Sequence, residues 1–142
     1  MADTPGAAPA SRAGLVLAER ILASVVALMV LIQAAMAGHS TRLRGTGGIS
    51  IELHGVVGNA TFTLIVVELV LAFVIKASTG RLAVLGGLTV LAVAQTGLGY
   101  MGRSSVDAAG WHVPLGVLIF GLATYNIVQA RAAAGQPVTP AV

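Results

Sequence analysis

The chain has 142 residues, 56% of them hydrophobic and only 9% charged, whereas about a quarter of the residues in a soluble domain carry charge. Its formal net charge of +3 is spread along the chain, without a cluster of Lys or Arg. That excludes a nucleic-acid footprint and leaves lipid headgroups as the partners of the basic residues. The absence of cysteine excludes disulfides, thiolate metal sites and covalently attached c-type haem.

A chain of this length makes one domain. Residues 1–14 (MADTPGAAPASRAG) are small, polar and rich in Pro and Gly, and read as a disordered tail. Four apolar runs follow, at Leu15–Ala37, Ile51–Ile75, Leu82–Met101 and Ala108–Val128, and residues 132–142 read as a flexible C-terminal tail. Each run has the roughly 20 residues needed to cross a hydrocarbon core of about 30 Å. Backbone groups in lipid must be satisfied within their own segment, so the runs are predicted to be helices. The expected fold is all-α: a four-transmembrane-helix bundle over residues 15–131.

Ala35-Met36-Ala37 has the form of a signal-peptidase site. The run before it is longer than a signal h-region and carries Glu19 and Arg20, so a membrane span is the better reading. Arg12, Arg20, Lys76, Arg81 and Arg131 flank one side of the expected membrane, and Arg42, Arg44 and Arg103 the other. This bias predicts both termini in the cytoplasm. Tyr100 and Trp111 then belong at the outer interface, where amphipathic aromatics collect.

The two halves of the chain resemble each other. Gln33–Gly38 (QAAMAG) near the end of the first span matches Gln95–Tyr100 (QTGLGY) near the end of the third. His54–Gly58 (HGVVG), at the start of the second span, matches His112–Gly116 (HVPLG) in the fourth. The expected bundle is therefore two pseudo-symmetric hairpins related by an axis along the membrane normal.

These repeats hold the candidate chemistry. His54 and His112 fall at one depth near the outer ends of descending helices and can face each other across the core, where bundle cofactor sites are built. Gly58 and Gly116 lie four residues after each His, on the same helix face, and Gly99 lies four after Gln95. Small residues around two facing imidazoles suit a flat porphyrin with bis-His ligation of its iron, a haem b. Gln33 and Gln95, slightly deeper, are predicted either to orient the imidazoles through their Nδ1–H groups or to bond between helices. His39, without a counterpart in the second half, reads as an interfacial loop residue and as the substitute ligand for His54.

A second polar layer, Arg20, Glu68 and Asn126, is expected near the cytoplasmic side. Arg20 and Glu68 should pair there, either to fix helix register or to relay protons, while Glu19 reaches the interface. Ser50 and Asp107 are the expected N-caps of the second and fourth helices. Pro114 either kinks the fourth helix or lies in its first turn.

The stretches Ile51–Gly55 (IELHG), Gln95–Gly99 (QTGLG) and Trp111–Gly116 (WHVPLG) give the chain a further likeness: it resembles one four-helix half of the haem A synthase family. The chain is also similar to small four-helix membrane proteins of bacteria. The first resemblance implies His54 and His112 as axial haem ligands. That family has two such halves and this chain one, so the likeness implies haem binding without the family's oxygenase chemistry, in a protein that is not an enzyme by itself. The expected function is electron transfer or haem handling near the outer face of a bacterial plasma membrane. Alternatives are a non-catalytic accessory subunit or scaffold of a membrane, such as respiratory, complex; a homo-oligomer; and a quinone or small-molecule carrier using the Gln33/Gln95 layer.

Overall fold

A computed structural model describes residues 8–42 and 51–132. They form four helices: α1 (Ala8–Arg42), α2 (Ile51–Val74), α3 (Thr79–Met101) and α4 (Val106–Ala132). Among the described residues there is no strand, and each helix is long and apolar enough to cross a membrane. The helix α1 starts seven residues before the apolar run, so the expected N-terminal tail is helical from Ala8 onward. Ala8-Pro9-Ala10 accounts for this: Pro is well tolerated in a first turn, where its missing N–H has no intrahelical partner to lose, and Ala is the best helix former. The expected Ser50 cap and the C-terminal tail from residue 133 lie outside the described residues.

Each helix packs mainly on two neighbours, α1 on α2, α2 on α3, α3 on α4 and α4 back on α1. Consequently α1 faces α3, and α2 faces α4, across the diagonals of the bundle. A seven-residue step runs through all four. Val26, Thr61, Leu88 and Ile119, one from each helix, form a buried central layer. Four residues further along each helix, Val30, Ile65, Ala92 and Ala123 are buried as well. Alternating steps of three and four keep one stripe facing the partner helices, the pattern of left-handed bundle packing. The opposite faces expose Leu28, Val67, Val70, Phe73, Val90 and Val117, as lipid-facing positions do. Lipid tails are as apolar as these side chains, so the bundle is held by close packing, small residues and interhelical polar contacts rather than by expulsion of water.

Two short turns set the helix register. After α2, Lys76 adopts φ 55°, its N–H donates to Phe73 C=O and Ala77 N–H donates to Ala72 C=O at 2.9 Å, a Schellman closure. Ser78 then caps α3, its hydroxyl accepting from Arg81 N–H. At the other end Gly102 closes α3, and a Cβ there would press on Leu98 O at 3.1 Å and Ala109 Cα at 3.3 Å. The cap of α4 is Ser105, whose hydroxyl accepts from Ala108 N–H at 3.2 Å, and not the expected Asp107, which lies in the first turn. With the helix starting at Val106, Pro114 falls inside it, leaving the Gly110 carbonyl without its usual helical donor.

Candidate functional site

His54 stands in the first turn of α2 and His112 two turns into α4. Because these helices are diagonal partners, the imidazoles meet across the core, with ring centroids 6.2 Å apart and planes at 68°. Both are half-buried and line a cavity of about 490 Å³, together with Gln33, Gln95, Gly58 and Gly116. The size is that of a small-molecule or cofactor site. Apolar side chains such as Val30, Phe62, Ile119 and Phe120 make up much of the remaining wall, and Arg103 sits at the histidine end.

Glycines explain how the two histidines are held. In a helix, the side chain at position i+4 stands beside the carbonyl of residue i, so glycine there uncovers that carbonyl to a neighbouring helix. Gly99 uncovers Gln95 C=O, and His112 Nδ1 lies 3.0 Å from that oxygen. A Cβ on Gly99 would come within 3.1 Å of His112 Cε1. The carbonyl can only accept, so His112 carries a proton on Nδ1, and in the neutral ring Nε2 keeps the lone pair that a metal requires. Gly58 likewise uncovers His54 C=O, which accepts from Gln33 Nε2 at 3.1 Å.

The expected roles of the glutamines change accordingly. Gln95 holds His112 through its backbone, not its amide, and Gln33 grips the backbone of His54, not its ring. Neither glutamine amide bonds an imidazole, and the interhelical bond is the one that Gln33 makes to the His54 carbonyl. Gly58 and Gly116 line the cavity, and the nearest atoms to a Cβ on them belong to Gln33 and Gln95. The repeat is imperfect around the histidines. Ala37 stands where Gly99 stands in the second half, and His54 Nδ1 is buried without a hydrogen-bond partner.

His39 is an exposed residue of α1, not a loop residue, and does not line the cavity. Tyr100 and Trp111 are both exposed near the histidine end. Tyr100 ties α3 to α2 by accepting a hydrogen bond from Asn59 Nδ2 at 2.9 Å, and the Arg103 guanidinium lies over its ring. Among the described residues, no group of three or more His, Cys, Asp or Glu side chains is placed to hold a metal ion. No family model, curated protein or solved structure matches the chain.

At the other end of the bundle the expected Arg20–Glu68 pair does not form. Arg81 Nη2 pairs with Glu19 and lies 3.9 Å from Glu68 Oε1, while Asn126 Nδ2 donates to the same Glu68 oxygen at 2.6 Å. Neither does Glu19 reach the interface: it is fully buried. The reason is register. Ser78 and the tight turn start α3 early enough to carry Arg81 one turn into the bundle, on the core stripe, whereas Arg20 is one residue off the stripe that Glu19 occupies. A signal for this was present in the sequence. Glu19 precedes Gln33, His54 precedes Glu68, Arg81 precedes Gln95 and His112 precedes Asn126 by the same fourteen residues, two heptads in every case. Each helix therefore sends one polar side chain to each of two levels, about 21 Å apart at 1.5 Å per residue.

Proposed function

We propose that this chain is a b-type haem protein of a bacterial plasma membrane, with both termini in the cytoplasm and the histidine end outward. In this reading His54 and His112 would hold the haem iron, and the protein serves electron transfer or haem handling. The observation that carries it is the spacing of the two rings, 6.2 Å between centroids across the core. With each ligating nitrogen roughly 1 Å from its ring centroid and a metal–imidazole bond of about 2.0–2.1 Å, two imidazoles sharing one ion place their centroids about 6 Å apart.

The residues present fit such a group. Two protein ligands alone make a poor site for a bare ion, and no third His or carboxylate joins them among the described residues. A macrocycle that brings its own four donors needs only this pair and a roomy apolar cavity. When bound, haem iron would supply one-electron redox chemistry. The chain's own part is to orient and to shield. His112 Nδ1–H donates to Gln95 C=O, which fixes ring orientation and raises ligand basicity. Gln33 anchors the backbone that carries His54, and Arg103 offers positive charge to the carboxylates of a haem. The likeness to one half of the haem A synthase family supports the same two ligands.

The test is an absorption spectrum of protein expressed with added haem and purified in detergent. A Soret band with low-spin features is expected, and its absence overturns the proposal. His54→Ala and His112→Ala should each abolish the low-spin spectrum, while His39→Ala leaves it unchanged.

A further inference from the structure

The polar level at the far end of the bundle is built from one residue of each helix, Glu19, Glu68, Arg81 and Asn126, each 3% exposed or less. It contains two carboxyls and one guanidinium, and the guanidinium is always charged. Half-buried Arg20, beside Glu19, makes an ion pair with neither carboxyl. Two ionised carboxylates would therefore leave one negative charge without an ion-pair partner inside a membrane-spanning bundle, which is costly, and the cluster reaches neutrality by holding one further positive charge. The contacts show which carboxyl is short of it. Glu19 has the close ion pair with Arg81, whereas Glu68 is 3.9 Å from that cation and is otherwise met by the amide of Asn126.

A second observation indicates what the missing charge is. Glu68 Oε2 and Asn126 Oδ1 are both buried without a hydrogen-bond partner, although the two side chains already touch through Oε1 and Nδ2. A proton on Oε2 donates to Oδ1 and completes the paired acid–amide arrangement, with N–H···O on one arm and O–H···O on the other. We propose that this cluster is a proton-binding site in the membrane-spanning bundle, with Glu68 the group that takes up and releases the proton and Asn126 Oδ1 the acceptor that holds it.

The surrounding groups set its direction of exchange. From α1 the site meets Glu19, with half-buried Arg20 beside it; from α3 it meets Arg81; from α4 it meets the uncharged Asn126, with exposed Arg131 further along that helix. Exposed Lys76 closes the same end of α2. Toward the histidine cavity the buried layer of Val26, Thr61, Leu88 and Ile119 intervenes. Exchange therefore runs to the Lys76 end, and the site stands whatever the cavity at the other end holds.

Infrared spectra of the intact protein in liposomes, taken across a pH titration, test this. At neutral pH a carboxylic-acid C=O band is expected that disappears on alkalinisation and is missing from Glu68→Gln. Asn126→Ala should move the band to higher frequency, because the acid loses both of its hydrogen bonds. No titrating band in the wild type, or one that survives Glu68→Gln and is lost in Glu19→Gln, overturns the assignment. Labelling with dicyclohexylcarbodiimide, which adds to protonated carboxyls in apolar surroundings, should map to Glu68 and fall by roughly tenfold per pH unit above its titration midpoint. Replacing choline chloride with sodium chloride should leave the labelling unchanged. Protection by sodium would overturn the proton in favour of a metal cation.

Discussion

Gly99 on α3 and His112 on α4 meet so closely that a Cβ on the glycine would stand 3.1 Å from the imidazole, and this contact brings Nδ1 to the Gln95 carbonyl. The chemistry of the histidine thus depends on a residue with no side chain on the neighbouring helix. Ala37 in the equivalent place of the first hairpin, together with the unpartnered Nδ1 of His54, displays the same dependence from the other side.

Gly99→Ala should displace the His112 ring and break that hydrogen bond. Overpacking and the lost bond outweigh the helix propensity of Ala, for a net loss of about 1–2 kcal/mol. If haem is bound, its affinity should fall by about 10–100-fold, as for loss of an outer partner of a ligating His. Gly97→Ala, where a Cβ meets nothing within 4 Å, is the matched control and should be neutral or stabilising by up to about 1 kcal/mol. Thermal unfolding in detergent and haem titration measure the two effects.

Arg81 is the cation on which the buried carboxyls depend. Arg81→Ala strands Glu19 in the bundle and should cost about 3–5 kcal/mol, whereas joint replacement of Glu19 and Arg81 by Met should recover most of the loss. Arg20 makes no ion pair with a described residue, so Arg20→Ala should stay within about 0.5 kcal/mol of the parent. A double-mutant cycle read by thermal unfolding separates these outcomes.

Lys76 occupies the left-handed position that glycine commonly takes after a helix, with φ 55°. Its Cβ is strained there by roughly 1 kcal/mol. Lys76→Gly should therefore raise stability by up to about 1 kcal/mol after the entropy of the unfolded glycine is counted, visible as a higher melting temperature.

Gly102 carries the opposite expectation. Its backbone is ordinary, but a Cβ would press on Leu98 O of its own helix at 3.1 Å and on Ala109 Cα of α4 at 3.3 Å, backbone atoms that cannot swing aside as a side-chain tip can. Gly102→Ala should cost about 1–3 kcal/mol and widen the α3–α4 angle, which distance measurements between spin labels on the two helices would detect.

The sequence by itself determined the four spans, the hairpin repeat and the common depth of the two histidines, because length, hydropathy and the 1.5 Å rise per residue act along one chain at a time. It also contained the fourteen-residue spacing that defines both polar levels, although Arg81 looks in sequence like one more flanking cation. Only the tertiary structure decided which groups meet. The tight Lys76–Ser78 turn carried Arg81 into the bundle to pair with Glu19 in place of the expected Arg20–Glu68 contact. The closeness of α3 and α4 gave His112 a backbone carbonyl rather than the glutamine amide. Such pairings depend on rotation and separation of neighbouring helices to within an ångström, and a helix start moved by one residue turns every side chain by about 100°.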